Sequence, residues 1–381
     1  MMEKNFLLVR YGEIGTKSEP VRSKMIDNLR QRVEDRLEHE GLEYGKVSVH
    51  PGRVIAEGLE DAGEAARKVS ETPGVASVSP AKKIESSIEE MKNTAEEVEV
   101  SESFGIDASR SGKHGFDSQE VKEEVGEHVR KNTGAEVDLD NLGILIEFEI
   151  RGENTYVFTE RFKGPDGVPV GSAGKFAALI SGGIDSPVAA HEAMERGCDI
   201  VPVYFYNVPV AAEDHYLRFR SVCKKLKRFN FSRDWKGFKI DMGEVNEELM
   251  EIGRGRMVIH RRLMFRVAEE ICEQEGLNGI VTGESLSQKS SQTPQNLEKT
   301  SKATDYPVHR PLITHSKNEI TEKARELGTF RDAEIASACQ SLAPDNPATR
   351  LSEPDLEKLE RQVGFEDLVE KALDSMKEID L

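Results

Sequence analysis

The sequence predicts a multi-domain α/β protein with three parts: a ferredoxin-like N-terminal unit, a second α+β unit and a doubly wound α/β domain. Three observations predict it. The first eighty residues run strand, helix, strand, strand, helix, strand, and a second α+β set follows them. Beyond the stretch GPDGVPVGSAGK the strands become wholly apolar, the mark of parallel strands buried on both faces. The boundaries expected are 1–80, 81–165 and 173–381.

Each element has a local reason. NFLLVRYGE is an apolar-rich strand, and Val21, Met25, Leu29, Val33 and Leu37 recur at helical spacing between Glu19 and Glu40, where Gly41 stops the helix. KVSVHPGRVIAEG holds two short strands around a Pro-Gly turn, DAGEAARKVSE a second helix and GVASVSPAK a closing strand. An acidic helix from Ser87 to about Glu99 opens the second unit. The strand FGIDAS, the polar loop RSGKHG, the helix SQEVKEEVGEHVRKN and the runs EVDLD, GILIEFEI and TYVFTER complete it. GPDGVPVGSAGK, dense in Gly and Pro, is a linker. After it come the strand FAALI, the loop SGGIDS, a helix begun by Pro187 and ended by Gly197, and the strand IVPVYFYN, which together make a βαβ unit. GFKIDM, NGIVTGE and the entry to HRPLI continue the alternation.

Composition narrows the function. No run reaches the eighteen or so apolar residues of a membrane span, and MMEKNFLLVRYGE lacks a signal core, so a cytoplasmic protein with no membrane partner is expected. Cys198, Cys223, Cys272 and Cys339 stand far apart without a CxxC, against a disulfide framework or a structural zinc or iron–sulfur site. A net charge of −18 opposes phosphate contact unless the basic residues are concentrated, and it also suits a salty cytosol. They are concentrated: RFRSVCKKLKRFNFSRDWKGFK holds Lys224, Lys225, Lys227 and Arg228 among its cations against one acid, Asp234. In the second unit Arg110, Lys113 and His114 stand near Phe116. A solvated helix face is the usual fate of a charge run, but in so acidic a chain these segments are candidates for RNA phosphate.

The most informative stretch is SGGIDS, Ser181 to Ser186. Gly182 and Gly183 let backbone N–H groups approach an anion, the following helix aims its positive end there, and Ser181 and Ser186 offer hydroxyl donors. Neither GK[ST] nor GxGxxG is present, so this is neither a Walker nor a dinucleotide loop. Asp185 is out of place beside phosphate unless it holds Mg²⁺ or positions a donor. An ordinary Gly-rich turn with an Asp near a helix start is the plain alternative.

A strand, SGGxDS and a helix resemble the PP-loop of ATP pyrophosphatases, which cleave ATP between its α and β phosphates. LLVRYGEIGTKS, ERFKGPDGVPVGSAGK, LISGGIDSPVA, VTGESLSQKSSQT, RPLITHSKNEI and the segment around Cys339 extend the likeness over nearly the whole chain. In that order they resemble the tRNA 4-thiouridine synthetase (ThiI-type tRNA sulfurtransferase) family, in a form lacking the rhodanese domain. The resemblance implies that 1–80 is the ferredoxin-like domain, 81–165 a THUMP RNA-binding domain and 173–381 the PP-loop domain. It implies a tRNA substrate adenylated with ATP and Mg²⁺ at uridine 8, whose 4-oxygen is then replaced by sulfur.

Residue by residue, the resemblance places ATP against Leu179, Ile180, Ser181, Gly182, Gly183, Ser186, Tyr204, Phe205, Arg261, Gly283 and Gln292, with Asp185, Lys317 and Cys339 catalytic. Leu179, Ile180 and Phe205 would use their backbone, their side chains belonging to the core. Lys317 would offset charge on the phosphorus, and without the motif it would be read as a solvated lysine. Cys339 lies among small and polar residues in ASACQSLAPDN, unlike the other three cysteines, which are expected to be buried and inert. With no rhodanese segment in this sequence, the sulfur donor is expected in trans, a cysteine desulfurase or sulfide. Relatives suggest a homodimer. Some archaeal relatives hold an iron–sulfur cluster through a CxxC where this chain has Met257 and His260, so no cluster is expected. Two rivals remain. Another PP-loop tRNA enzyme, such as a 2-thiolating one, is opposed by the order of the three units. A non-catalytic tRNA-binding module is opposed by the intact SGGIDS, Lys317 and Cys339.

Overall fold

The computed structural model describes residues 2–381 apart from 101, 139–140, 208–213, 231–234, 290 and 334–341, with backbone alone for 332 and 333. The chain divides into two units, Met1–Pro169 and Val170–Leu381.

The first unit runs β1 (Phe6–Arg10), α1 (Glu19–His39), β2 (Lys46–His50), β3 (Arg53–Glu57), α2 (Ala62–Ser70), β4 (Ser77–Glu85) and α3 (Ile88–Ala95). It continues with β5 (Ser103–Ser111), α4 (Ser118–Thr133), β6 (Glu136–Val137), β7 (Ile144–Arg151), β8 (Asn154–Phe158) and β9 (Phe162–Lys163). The helices start and stop where side chains satisfy their ends. Asp117 and Glu120 close a capping box on α4, and Gly41, at φ 68°, lets the chain turn after α1 while Leu42 N–H returns to Leu37 O at 2.9 Å.

All nine strands join one sheet in the order β2-β3-β1-β4-β8-β7-β5-β6, with β9 also paired to β4. The reason is the length of β4. Its first half, Ser77–Ala81, pairs with β1, and its second half, Lys82–Glu85, pairs with β8. The boundary expected between residues 80 and 81 therefore falls inside one strand, and the ferredoxin-like and second α+β parts share a sheet.

Strand alternation sorts the side chains. Leu7 and Val9 enter the core under α1 and α2, while Leu8 packs with Ile55, Ala81, Tyr156 and Phe158. Arg10 lies over the Phe158 ring at 4.8 Å and reaches the buried carboxylate of Glu149 at 3.0 Å. Arg53, at 2.8 Å, and Arg151, at 2.5 Å, share that carboxylate. Burial lowers the Arg10 guanidinium to about 10 against the pull of Glu149. Burial pushes Glu149 up, yet the three arginines hold it below the usual carboxylate range.

The second unit begins β10 (Lys175–Leu179), α5 (Asp185–Glu195), β11 (Asp199–Tyr206), α6 (Asp214–Asn230), β12 (Lys236–Asp241), α7 (Gly243–Leu249) and α8 (Arg256–Glu275). It ends β13 (Ile280–Thr282), α9 (Pro294–Ser301), β14 (Val308–His309), α10 (Lys317–Glu326), α11 (Glu353–Val363), α12 (Phe365–Asp374) and β15 (Lys377–Asp380). The sheet order is β14-β13-β10-β11-β12-β15, parallel except for β15. β10 feeds both faces. Ala177 and Leu179 join the core with α7, α8 and α12, while Phe176, Ala178 and Ile180 join α5, α6 and α10. The chain leaves β10 towards β11 on one side and later returns to β13 on the other, which makes the end of β10 the switch point where such sheets bind ligands. Among the described residues no helix is long and apolar enough to cross a membrane.

Glu149→Ala would leave three guanidinium groups around an empty centre. We expect it to lower stability by about 3–5 kcal/mol in chemical denaturation. Glu160→Ala, which breaks only the more exposed pair to Lys4, should stay within about 1 kcal/mol.

Candidate active site

The loop SGGIDS leaves β10 at the switch point and closes on itself. Ser181 N–H donates to Ser186 Oγ at 2.8 Å, the two hydroxyls lie 3.0 Å apart, and Gly183 N–H donates to Ser181 Oγ at 3.2 Å. The two serines, expected as donors to an anion, thus serve first to brace the loop. The glycines differ in need. A Cβ on Gly182 would come within 3.2 Å of Arg218 Cβ, whereas one on Gly183 would meet only Ser181 Oγ at 3.4 Å. The tightest approach is elsewhere: a Cβ on Gly283, just after β13, would lie 2.6 Å from Ser186 N.

α5 opens with Asp185 and α10 opens with Lys317, and their side chains meet at 2.7 Å. A cation at a helix N-terminus works against the helix dipole, and the Asp185 carboxylate offsets that. Ser316 and Glu319 form a capping box that fixes where α10 begins.

Around this pair lies a cavity of about 800 Å³. Every residue expected at the ATP site lines it, together with Asp185 and Lys317: the loop, the strand ends Leu179, Ile180, Tyr204 and Phe205, and Arg261, Gly283 and Gln292. The side chains of Leu179, Ile180, Tyr204 and Phe205 are core members, and Tyr204 stacks on Phe219 with ring centres 4.6 Å apart.

One face of α8 forms a wall. Met257, His260, Arg261, Met264 and Phe265 follow helical spacing and all face the cavity. Arg261 is ion-paired to Glu284, which is 1% exposed and also accepts from Arg310 Nε at 2.8 Å. Burial lowers the His260 imidazole to about 4, so it is neutral at neutral pH, and its Nε2 has no hydrogen-bond partner. Gln292 Oε1 and Gln288 Nε2 are likewise buried and unpartnered.

The sequence reading missed Arg218, His215, His260 and Glu284 as cavity residues. Arg218 belongs to the basic segment assigned to RNA, yet it packs on Gly182 with its guanidinium ion-paired to Asp214. Two signals point to His260: its place beside Arg261 on α8 and its match to the second position of the archaeal CxxC.

The RNA candidates are placed variously. In the second unit Lys225 donates to Gly328 O at 2.6 Å, Lys227 to Leu381 O at 2.6 Å, and Arg228 lies over Phe229 at 4.7 Å, while Lys224 is exposed. In the first unit Arg110 and Lys113 are exposed. His114 Nε2 lies 2.8 Å from Gly152 O, and its ring packs on Phe116. Cys339 lies outside the described residues. Cys223 and Cys272 are buried and burial raises both thiols, Cys272 to about 11. Cys198 departs from the burial expected of it: it is half-buried and lines a second cavity, though burial still lifts its thiol to about 11.

Two tests follow from this geometry. Gly283→Ala should remove ATP binding, because the new methyl group meets the first turn of α5; titration with a fluorescent ATP analogue measures it. Two imidazoles held away from solvent, His260 buried and His191 half-buried, also set an acid limit. His260 and His191, the latter lowered by burial to about 3, resist protonation that the unfolded chain accepts near pH 6.5. Stability is therefore complete above pH 6.5 and falls as pH drops towards 4, by up to about 1.4 kcal/mol per pH unit for each histidine. Urea midpoints at pH 7 and pH 5 should show this, with a smaller drop in His260→Gln.

Comparison with known proteins agrees with the architecture. The family described as "Thiamine biosynthesis protein (ThiI)" matches residues 171–365, the THUMP domain 82–160 and the ThiI ferredoxin-like domain 6–79. A probable tRNA sulfurtransferase of Halobacterium salinarum is 37% identical over 365 residues, covering 92% of this chain and 93% of that protein. One of Thermococcus kodakarensis is 31% identical, covering 93% of this chain and 96% of its own. The crystal structure of a 4-thiouridine synthetase–RNA complex with bound ATP superposes with a TM-score of 0.88, at 31% identity and 100% coverage of both chains. A Pyrococcus horikoshii protein gives 0.67 at 28% identity, over 85% of this chain and 99% of its own. With the ThiI profile over half of its length and relatives of this identity from end to end, the chain belongs to the ThiI family of tRNA sulfurtransferases.

Proposed function

We propose that this enzyme is an ATP-dependent tRNA sulfurtransferase that adenylates uridine 8 of tRNA and exchanges its 4-oxygen for sulfur, giving 4-thiouridine. The observation that carries the reading is the convergence of the braced SGGIDS loop, Asp185, Lys317 and Arg218 on one cavity at the sheet's switch point. The related synthetase holds ATP and RNA.

In the first step O4 of the uracil attacks the α-phosphorus, the O4–P bond forms, the bond to the β-phosphate oxygen breaks, and diphosphate leaves with the N3 proton released to solvent. The loop N–H groups and the start of α5 receive the phosphates, and Lys317 and Arg218 offset charge on the phosphorus and the leaving diphosphate. Mg²⁺, where bound, would offset the negative charge of the phosphates. Asp185 suits it as a single carboxylate ligand, since Glu284, the other acid in the cavity, is held by two arginines. Sulfide then adds at C4, the C4–O bond breaks and AMP leaves with the oxygen. Where a donor persulfide adds instead, the base is left joined to the donor by an S–S bond. A thiolate attacks the donor sulfur, breaking that bond to release 4-thiouridine and leaving a disulfide between the thiol and the donor. We assign the sulfur donor to a partner in trans and the thiol step to Cys339. Arg110, Lys113, His114 and Lys224 are our candidates for RNA phosphate, and a homodimer is our expected assembly. Met257 and His260 offer a thioether and a neutral imidazole rather than the thiolates that iron–sulfur clusters take, so we assign no cluster to this cavity.

Asp185→Ala should lower formation of AMP and diphosphate by on the order of 100-fold while tRNA binding, measured by filter retention, is kept. Cys339→Ser should still form AMP but yield no 4-thiouridine in nucleoside analysis. Normal thiolation by Asp185→Ala would remove the loop from the mechanism.

A further inference from the structure

We infer that Glu192 is a positioning residue for Lys317, holding the start of α10 against the phosphate loop through His315 and Lys323. The inference rests on the adenylating role proposed for this cavity.

Glu192 lies seven residues after Asp185, two turns along the same face of α5. Lys317 opens α10, His315 stands two residues before it and Lys323 six after it. The two segments are thus joined at two levels. At the phosphate end Lys317 Nζ meets Asp185 Oδ1 at 2.7 Å. Two turns away His315 Nε2 lies 3.2 Å from Glu192 Oε1, and Lys323 Nζ is hydrogen-bonded to the same oxygen.

The two levels differ in surroundings. Lys317 is 52% exposed, and an exposed lysine pair with one partner holds its long stem weakly. Glu192 is 13% exposed at the wall of a second cavity of about 540 Å³, where reduced solvent strengthens its contacts. The segment before α10 is also tied to the loop after β13, through Ser285 Oγ to His315 O and Leu286 N–H to Ile313 O, each at 3.4 Å. That loop carries Gly283 and Glu284.

A triphosphate entering the cavity competes with Asp185 for the Lys317 ammonium. Once that pair opens, Lys323–Glu192 is the ion pair that still binds α10 to α5 among the described residues, and the His315–Glu192 contact ties the residues just before α10 to the same carboxylate. They keep Lys317 within reach of the phosphorus, where small misplacements cost much of the rate.

The test is single-turnover AMP formation by the full chain with tRNA transcript, ATP and Mg²⁺. Glu192→Gln should slow it about tenfold with ATP and tRNA affinity within about twofold. Glu192→Asp should recover part of the rate, and His315→Gln, which spares the Lys323 contact, should lose about threefold. In a Lys317→Ala background Glu192→Gln should add no further loss, since both changes then act on one step. An unchanged rate in Glu192→Gln, or the same tenfold loss with and without Lys317, would overturn the inference. Acetylation of Lys317 without nucleotide provides a readout apart from catalysis, and it should be faster in Glu192→Gln; equal rates would also overturn the inference. Absence of AMP formation by the unaltered chain, with faster acetylation in the variant, would instead count against the proposed function alone.

Discussion

Asp185 and Lys317 stand 2.7 Å apart, each on the first turn of a helix, and the cavity is organised around that contact. Both helix ends present unsatisfied N–H groups and partial positive charge to one place. Left to themselves, two such ends repel one another and a lysine between them. The carboxylate of Asp185 lets them meet, so a residue that looks wrong beside a phosphate is what allows the site to assemble.

The protein's net charge of −18 says little about this place. The cavity is lined by Arg218, Arg261, Lys289 and Lys317 against Asp185 and Glu284. A cleft with excess positive charge and apolar walls of Leu179, Phe205, Met257 and Phe265 concentrates field lines, so an acidic protein still offers an anion a favourable pocket. Excess acid elsewhere repels stray polyanions. Locally the balance can differ, as at the exposed Arg110 and Lys113.

Much of this was legible from local chemistry, and the rest was not, for physical reasons. FAALI reads as a doubly buried strand because both cores need its alternate residues, and SGGIDS reads as a loop because of its glycines and serines. The shared sheet of the first unit was hidden because nothing in Ser77–Glu85 marks the place where pairing passes from β1 to β8. β15 was missed because a four-residue edge strand of Lys, Glu, Ile and Asp carries no apolar run, and its pairing with β12 is decided by tertiary context. Arg218 reads as one more cation of its basic segment, because charge along a sequence does not reveal direction. Five residues later on the same helix Cys223 is buried, while Lys224 is exposed. The turn of α6 alone separates Arg218, which packs on Gly182, from its exposed neighbours.

Two carboxylates complete the logic of the cavity. Glu284 gathers Arg261 from α8 and Arg310 from the segment after β14, and Glu192 gathers His315 and Lys323 from the two sides of the α10 N-terminus. Each therefore ties distant stretches of chain that pattern alone would leave independent. Removing charges from water carries a large penalty, so pairs of this kind contribute little net stability compared with apolar packing. What they supply is direction, because a buried or half-buried carboxylate accepts its partners from fixed angles. In a site whose proposed chemistry depends on cations meeting phosphate from several sides, the carboxylates determine where those cations point. The apolar cores on either face of β10 hold the sheet that carries them.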